Sequence, residues 1–189
     1  MKDEENGLLA TAITDTETGD RAVTALPCFA EVVARHKGMV YSILWHYLRD
    51  RTLAEEGAQD VFLELHRRWS SMKSAEHIVF WLRRVTSHRA IDCARKLRVR
   101  SETSLEETGE PTALERVHDL FLASYLERMV ASLPEKQRIA IVLRYQEGME
   151  MEEIGDVLGM KVSTVKTQIF RGLELLRVKT AQRLGRKVE

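Results

Sequence analysis

Six polar residues close together near the C-terminus have the side chains that read double-stranded DNA. Hydroxyl, amide, ammonium and guanidinium groups reach both base edges and phosphates in a major groove. All six fall on one side of a helix predicted to begin near Ser163, and they are Ser163, Thr164, Lys166, Thr167, Gln168 and Arg171. This pattern favours binding to duplex DNA. The alternative is an ordinary helical hairpin with a solvated polar face.

Apolar residues and glycines provide the two helices that would hold this polar face. Between Glu152 and Leu158, apolar residues recur with helical spacing, and Gly155 is small enough to let a second helix cross closely. Gly159 follows as the turn, because a residue without Cβ tolerates a positive φ. In the second helix Gly172 permits close packing, and the apolar stripe consists of Val165, Ile169, Leu173 and Leu176. The arrangement predicts a helix-turn-helix.

Charge is segregated along the chain, although 29 basic and 29 acidic residues give no net charge. Residues 1–26 contain two basic and six acidic residues, whereas residues 27–100 contain fourteen and eight. Residues 101–132 contain two and seven, and residues 133–189 contain eleven and eight. Local potential steers a polyanion, so two basic blocks around an acidic one fit two nucleic-acid-binding domains and a connector.

The remaining periodicity predicts an all-α protein of two small helical domains joined by a flexible acidic linker. In the first domain we expect a helix over 29–48 interrupted near Gly38, a second over 53–69 and a third over 78–99. The buried sides of the last two are predicted to hold Ala58, Val61, Phe62, Leu65 and Trp69, and then Phe80, Trp81, Leu82, Val85 and Ile91. An amphipathic stretch over 114–133 and a helix from Pro134 to Tyr145 precede the helix-turn-helix.

The expected segments are a disordered acidic extension over 1–26, a first domain over 27–100, a linker over 101–122 and a second domain over 123–180.

The two cysteines, Cys28 and Cys93, give neither a disulfide framework nor metal-ligand spacing, and we expect reduced thiols and no cofactor. A redox role for them is the less favoured reading. No apolar run approaches the roughly 18 residues that span a bilayer, so we expect a cytoplasmic protein.

Two separate segments carry a family resemblance. FAEVVARHKGMVYSILWHYLRD, AEEGAQDVFLELHRRW and FWLRRVTSHRAIDCARKLR occur in that order, followed across the linker by LPEKQRIAIVLRYQEGMEMEEIGDVLGMKVSTVKTQIFRGLELLR. Over roughly residues 29–180 the chain resembles the extracytoplasmic-function (ECF) subfamily of sigma-70 RNA polymerase sigma factors. The resemblance implies a subunit that is not an enzyme, that brings polymerase to promoters and that helps to open the duplex. It also implies three partners: core polymerase, through its clamp helices and flap, promoter DNA, and an anti-sigma factor.

The resemblance also assigns roles to residues by position. The residues that match the face docking on the clamp helices are Glu55, Glu56, Gln59 and Asp60. Those that match the helix facing the −10 element are Trp81, Arg84, His88, Arg89, Asp92, Arg95 and Lys96. The loop over 70–77 matches a specificity loop. Lys161 joins the six polar residues listed above as the surface that approaches the −35 element.

Some of these roles stay open. Trp81 is expected in the core rather than as a base-stacking platform, and Lys166 and Arg171 suit either phosphate or guanine. The chain departs from the usual family pattern at His88, Arg89, Lys161 and Gln168, and these departures bear on which promoter is read.

Two other classes of protein compete with this interpretation. A transcriptional regulator would bind duplex DNA through the C-terminal domain without polymerase, but it has no evident need for the basic stretch over 79–100. A DNA-cutting enzyme would need clustered carboxylates or a metal motif beside basic residues. Glu55, Glu56 and Asp60 have no matching partner set in the sequence.

Overall fold

The computed structural model describes residues 26–103 and 118–183, and every regular element in those ranges is a helix. The helices are α1 (Phe29–Leu48), α2 (Arg51–Arg67), α3 (Ala75–Thr103), α4 (His118–Ala131), α5 (Glu135–Tyr145), α6 (Met151–Leu158) and α7 (Val162–Arg183), with a short 3-10 turn at Trp69–Ser71. The predicted all-α fold is confirmed. The predicted acidic extension, apart from its last residue, and most of the predicted linker lie outside the described residues.

Helices α1 to α3, the first helical group, pack around one another. Their fully buried side chains include Ile43, Leu44 and Tyr47 from α1, Val61 and Leu65 from α2, and Ile78 and Leu82 from α3. The predicted interruption of α1 at Gly38 is wrong, because the helix continues through it. A glycine inside a helix costs only about 1 kcal/mol relative to alanine, which burial of the following apolar turn offsets.

The ends of α2 and α3 also differ from expectation. The Asp50 carboxylate accepts a hydrogen bond from the Leu53 N–H at 3.0 Å and caps α2. Helix α2 ends at Arg67, so Trp69 lies in the 3-10 turn. The Ser74 hydroxyl accepts from the His77 N–H at 3.1 Å, so α3 starts at Ala75. The predicted loop over 70–77 is therefore shorter than expected.

One predicted core residue in the first helical group also differs. Phe80 was predicted in the core, yet it is 38% exposed. Trp69 is partly buried and packs against the hydrophobic core, and its ring lies edge-on against Phe29 with centroids 5.3 Å apart. The core of α3 instead includes the small residues Thr86, Ser87 and Ala90, which let the neighbouring helices approach.

Helices α4 to α7, the second helical group, contain the predicted helix-turn-helix in α6 and α7. Gly159 ends α6 with a φ of 65°, which confirms its role in the turn. The predicted buried stripe of α7 is wrong at Leu173, which is 40% exposed, because the stripe passes through Gly172 instead. A Cβ on Gly172 would lie 2.6 Å from Cδ1 of Ile141 in α5. The missing side chain is what allows α5 and α7 to pack closely.

The two helical groups share one hydrophobic core. It runs from Ile43 and Leu82 in the first group to Ile139, Ile154 and Val165 in the second. Helix α1 packs against α4 and α5, and α3 packs against α5 and α6. None of the helices in the described ranges is long and apolar enough to cross a membrane.

Candidate nucleic-acid interface

The outer side of α7 carries the polar residues predicted to read duplex DNA. Its inner side is held by Val165 and Ile169, which are 0% and 4% exposed. Gln168 is partly buried, and the exposed members of the predicted set are Lys161, Ser163, Thr164, Lys166, Thr167 and Arg171. The Thr167 hydroxyl donates to the Ser163 carbonyl at 2.8 Å. The structure therefore brings six of the seven predicted residues together on one open surface.

Phe170 lies in the middle of this surface and was missed by the sequence reasoning. It is 70% exposed, the highest value among the large apolar residues that are described as exposed. It follows Lys166 by four residues and Thr167 by three, which places all three on one side of the helix. That spacing was the available signal. An aromatic residue in a helix is more often part of the core, so the spacing was easy to overlook.

The basic helix α3 presents a second polar surface. Arg84, His88, Asp92 and Arg95 are exposed and recur at spacings of four, four and three residues. Lys96 is exposed beside them. Trp81 is partly buried and packs against the hydrophobic core, as predicted.

Arg89 differs from these exposed residues because it is partly buried and contacts α2. Its guanidinium forms an ion pair with the Asp60 carboxylate of α2. The sequence had placed Arg89 on the predicted −10 surface and Asp60 on the predicted polymerase surface. The structure joins them, so α2 and α3 are tied together at this point.

The predicted polymerase surface lies along α2. Glu55, Glu56, Gln59 and Asp60 are all exposed, and Glu55 pairs with Arg51 at 2.8 Å. Beside them lies a groove of about 930 Å³ between α1 and α2. Its apolar lining includes Phe29, Val33, Tyr41, Ala58, Phe62 and Leu63, and Glu55 and Gln59 also border it. The sequence reasoning identified the polar residues and missed the apolar groove.

The second helical group covers part of the α3 surface. Arg84 donates to the main-chain carbonyl of Asp156 at 3.2 Å. The Arg95 guanidinium lies 3.4 Å from the Glu135 carboxylate. By contrast, the residues of the α7 surface are exposed.

Acidic, histidine and cysteine side chains do not gather into a metal-binding group anywhere in the part of the chain that the structure describes. Cys28 is exposed and Cys93 is partly buried, and both are thiols. Burial and the neighbouring Arg35 and Arg83 lower the pKa of His36, which suits a neutral packing residue.

Comparison with known proteins identifies both helical groups. Residues 32–100 match the family described as Sigma-70 region 2, and residues 123–176 match Sigma-70, region 4. The ECF RNA polymerase sigma factor SigE of Mycolicibacterium smegmatis is 34% identical over 183 residues, which is 93% of this chain and 68% of that protein. The ECF RNA polymerase sigma factor SigW of Bacillus subtilis is 29% identical over 162 residues, which is 79% of this chain and 87% of that protein.

Two solved structures have a similar fold. The sigma factor RpoE of Bartonella quintana, in complex with the anti-sigma factor NepR, gives a TM-score of 0.65 at 18% identity and covers 79% of this chain and 94% of that one. CnrH, in complex with the cytosolic domain of CnrY, gives 0.62 at 22% identity and covers 82% and 88%.

Proposed function

The chain belongs to the ECF subfamily of sigma-70 RNA polymerase sigma factors, and we propose that its two helical groups read the two elements of one promoter. As a sigma factor it directs core polymerase to specific promoters and assists their opening. In our proposal residues 27–100 bind core polymerase and the −10 element, residues 123–180 bind the −35 element, and 101–122 connect them. The observation that carries this proposal is the open polar face of α7, held by a buried stripe.

We assign the −35 element to the α7 surface. Ser163, Thr164 and Lys166 lie in the first turns of α7, the part of a recognition helix that enters the major groove. Arg171 has the fork geometry that matches the two acceptors of guanine, and Lys166 can reach phosphate or guanine. Phe170 adds an apolar contact, which suits the methyl group of thymine. Lys161, Thr167 and Gln168 complete the proposed surface.

We assign the −10 element to the α3 surface. Strand separation exposes bases and a flexible backbone, which arginine and lysine bind and aromatic rings stack upon. Arg84, His88, Arg95 and Lys96 supply the donors here, and Asp92 lies between them. Because Trp81 packs in the core, its role is to position the arginines. Arg89 acts through its ion pair with Asp60.

Core polymerase docks on α2 in this proposal. An acidic edge steers and orients a basic partner. An apolar groove stabilises the complex because docking removes its apolar surface from water. Glu56 and Gln59 make no ion pair or side-chain hydrogen bond among the described residues, so both are free to bind. Asp60 is already engaged by Arg89, so it contributes less than the sequence suggested.

The remaining partner is an anti-sigma factor. The two similar solved structures are complexes, one of them with a protein named as an anti-sigma factor, and this supports a protein partner that covers the binding surfaces. The relatives are sigma factors rather than enzymes, and we propose the same for this chain. We further propose that it acts in the cytoplasm, because core polymerase is there.

Binding to core polymerase in the absence of DNA tests this proposal against the regulator alternative. The purified chain should co-elute with bacterial core polymerase in size-exclusion chromatography without DNA. A transcriptional regulator that binds duplex DNA without polymerase would elute separately from core polymerase and would bind a specific duplex tightly by itself. That pair of results would overturn the sigma assignment of these surfaces.

A further inference from the structure

A charged cavity of about 320 Å³ lies between α2 and α3. Three guanidinium groups and two carboxylates line it, and they belong to Arg67, Arg68, Arg89, Asp60 and Glu64. Glu64 pairs with Arg68 at 3.2 Å, and Asp60 pairs with Arg89. Arg67 is exposed and forms no ion pair within the described ranges. The cavity thus keeps one uncompensated positive charge, which favours an anion.

The hydrogen-bond donors of Arg89 are only partly used. A guanidinium carries five N–H donors in a rigid plane, and the structure gives Arg89 one side-chain acceptor, the Asp60 carboxylate, which is bound by Nη2. The Nε–H of Arg89 is buried and has no hydrogen-bond partner in the described parts of the chain. Unsatisfied buried donors are rare in folded proteins, so this one suits a residue that lines a ligand site.

The cavity adjoins the −10 surface assigned to α3. Arg89 follows His88 directly and precedes Lys96 by about two helical turns, which places Arg89 and Lys96 along one side of the helix. Phosphodiester oxygens accept hydrogen bonds from guanidinium groups with good geometry. A DNA strand that passes along α3 would therefore meet Arg89, and at the same cavity it would meet Arg67 on the end of α2.

We propose that this cavity binds a backbone phosphate of the unpaired promoter strand, and that Asp60 positions Arg89 for that contact. Arg67 supplies the second guanidinium. The inference rests on the proposed role of α3 at the −10 element. It does not follow from the family resemblance, which placed Asp60 on the polymerase surface and gave Arg67 no role.

Asp60 acts by restricting the Arg89 side chain. A free arginine side chain loses rotamer entropy when it binds a phosphate, and the ion pair with Asp60 restricts Arg89 before DNA arrives. The same carboxylate repels the phosphate. However, the side chains of Asp60 and Arg89 are 50% and 39% exposed, so water and salt screen this repulsion. The proposal therefore gives the loss of the Asp60 carboxylate a defined sign, which is slower promoter opening.

The first test locates the phosphate. Holoenzyme formed by core polymerase and the Arg67→Gln variant should open a promoter that the wild-type chain transcribes roughly 3- to 10-fold more slowly, as followed by permanganate reactivity of unpaired thymines. Arg128→Gln removes an exposed arginine of α4 that forms no ion pair in the described ranges, and this matched control should open the promoter at the wild-type rate.

Neutral methylphosphonate linkages, placed one at a time through the non-template −10 strand, then identify the contact. The linkage that replaces the bound phosphate should abolish the difference between Arg67→Gln and the wild-type chain. A difference that persists with every linkage, or equal opening rates on the unmodified promoter, would overturn the phosphate site.

The second test separates positioning from stability and from polymerase docking. Asp60→Asn should slow opening roughly 2- to 5-fold, and it should lower core affinity less than Glu56→Gln, which makes the same charge change one turn earlier on α2. Combining Asp60→Arg with Arg89→Asp restores an ion pair, so thermal stability should return. Opening should stay slow, because position 89 then carries a carboxylate.

Faster opening by Asp60→Asn, or normal opening by the chain with exchanged charges, would overturn the role of Asp60. The proposed function fails in a different way. If the wild-type chain opened no promoter with core polymerase, that result would count against the sigma assignment of these surfaces.

Discussion

The guanidinium of Arg138 lies over the ring of Tyr47, with its central carbon 5.0 Å from the ring centroid. Arg138 also donates to the main-chain carbonyls of Tyr47 at 3.3 Å and Leu133 at 3.2 Å. Burial lowers the pKa of Arg138 and raises the pKa of Tyr47 to about 12. This contact ties α5 of the second helical group to α1 of the first.

Replacing Arg138 should destabilise the chain. Arg138→Ala leaves the carbonyls of Tyr47 and Leu133 without their donor and removes the stacking contact, at an expected cost of about 1–3 kcal/mol in the free energy of unfolding. Urea unfolding followed by circular dichroism measures it. Lys136→Ala, an exposed neighbour in the same helix, should change that free energy by less than about 0.5 kcal/mol. Equal losses for both variants would refute the role of Arg138.

Tyr47 should make stability depend on pH above 10. Its pKa is raised, mainly by burial, from 10.0 to about 12, so the folded chain holds the phenol proton more tightly than the unfolded chain. The stability that Tyr47 contributes by holding this proton is fully present below pH 10 and is lost as pH rises through 12. The total loss is roughly 3 kcal/mol in the free energy of unfolding.

A Tyr47→Phe variant isolates this effect. The Tyr47 hydroxyl is buried and has no hydrogen-bond partner among the residues that the structure describes, so its removal should leave the stability at neutral pH unchanged or slightly higher. The variant should also lack the additional fall in the free energy of unfolding that the wild-type chain shows between pH 10 and 12. A decline of the same size in both proteins would show that Tyr47 is not its source.

Gly155→Ala should damage the helix-turn-helix. A Cβ at this position would lie 2.8 Å from the Met160 main-chain oxygen, and a backbone atom cannot move aside cheaply. We expect a loss of about 1–3 kcal/mol from overpacking. Gly38→Ala is the matched control, because a Cβ there meets nothing within 4 Å. It should stabilise α1 by up to about 1 kcal/mol. A stable Gly155→Ala variant would mean that the turn packs differently.

Phe170→Ala should impair recognition without affecting folding. Because the side chain is 70% exposed, we expect a stability change within about 0.5 kcal/mol. Transcription from promoters with thymine in the −35 element should fall, whereas binding to core polymerase should not. Tyr145→Ala, which removes a 58% exposed aromatic outside α7, should leave transcription intact. Loss of core binding by Phe170→Ala would argue against a DNA-reading role.

Glu56→Lys should weaken binding to core polymerase at low salt, because it reverses a charge that has no partner within the described parts of the chain. The association rate measured by surface plasmon resonance should fall clearly, whereas the free energy of unfolding should change little. Glu174→Lys makes the same charge change on α7 and should leave polymerase affinity unaltered. Undiminished affinity of Glu56→Lys would remove α2 from the interface.

The helices and the α7 surface could be predicted from the sequence because both depend on local periodicity. Val165 and Ile169 define the buried side of α7 whatever the helix packs against, so the polar side follows. Gly172 shows the limit of this reasoning. Residues 172 and 173 both continue the stripe, and only the approach of Ile141 from α5 decides between them.

Other features depend on contacts between distant segments and were not predictable. The Arg89–Asp60 ion pair joins residues 29 positions apart, and the Ser42–Glu147 hydrogen bond joins residues 105 apart. No local pattern encodes either. The Arg95–Glu135 ion pair is of this kind, because the sequence showed the basic residue of α3 but not its acidic partner. The apolar groove beside α2 likewise needs α1 as its second wall.

Transcription from a promoter library by bacterial core polymerase, with and without this protein, tests the central claim most directly. We expect new start sites only when both proteins are present, each preceded by two conserved elements, and we expect the upstream element to change when Arg171 is replaced. If core polymerase gains no start sites while the protein alone binds a specific duplex tightly, the chain does not act as we propose.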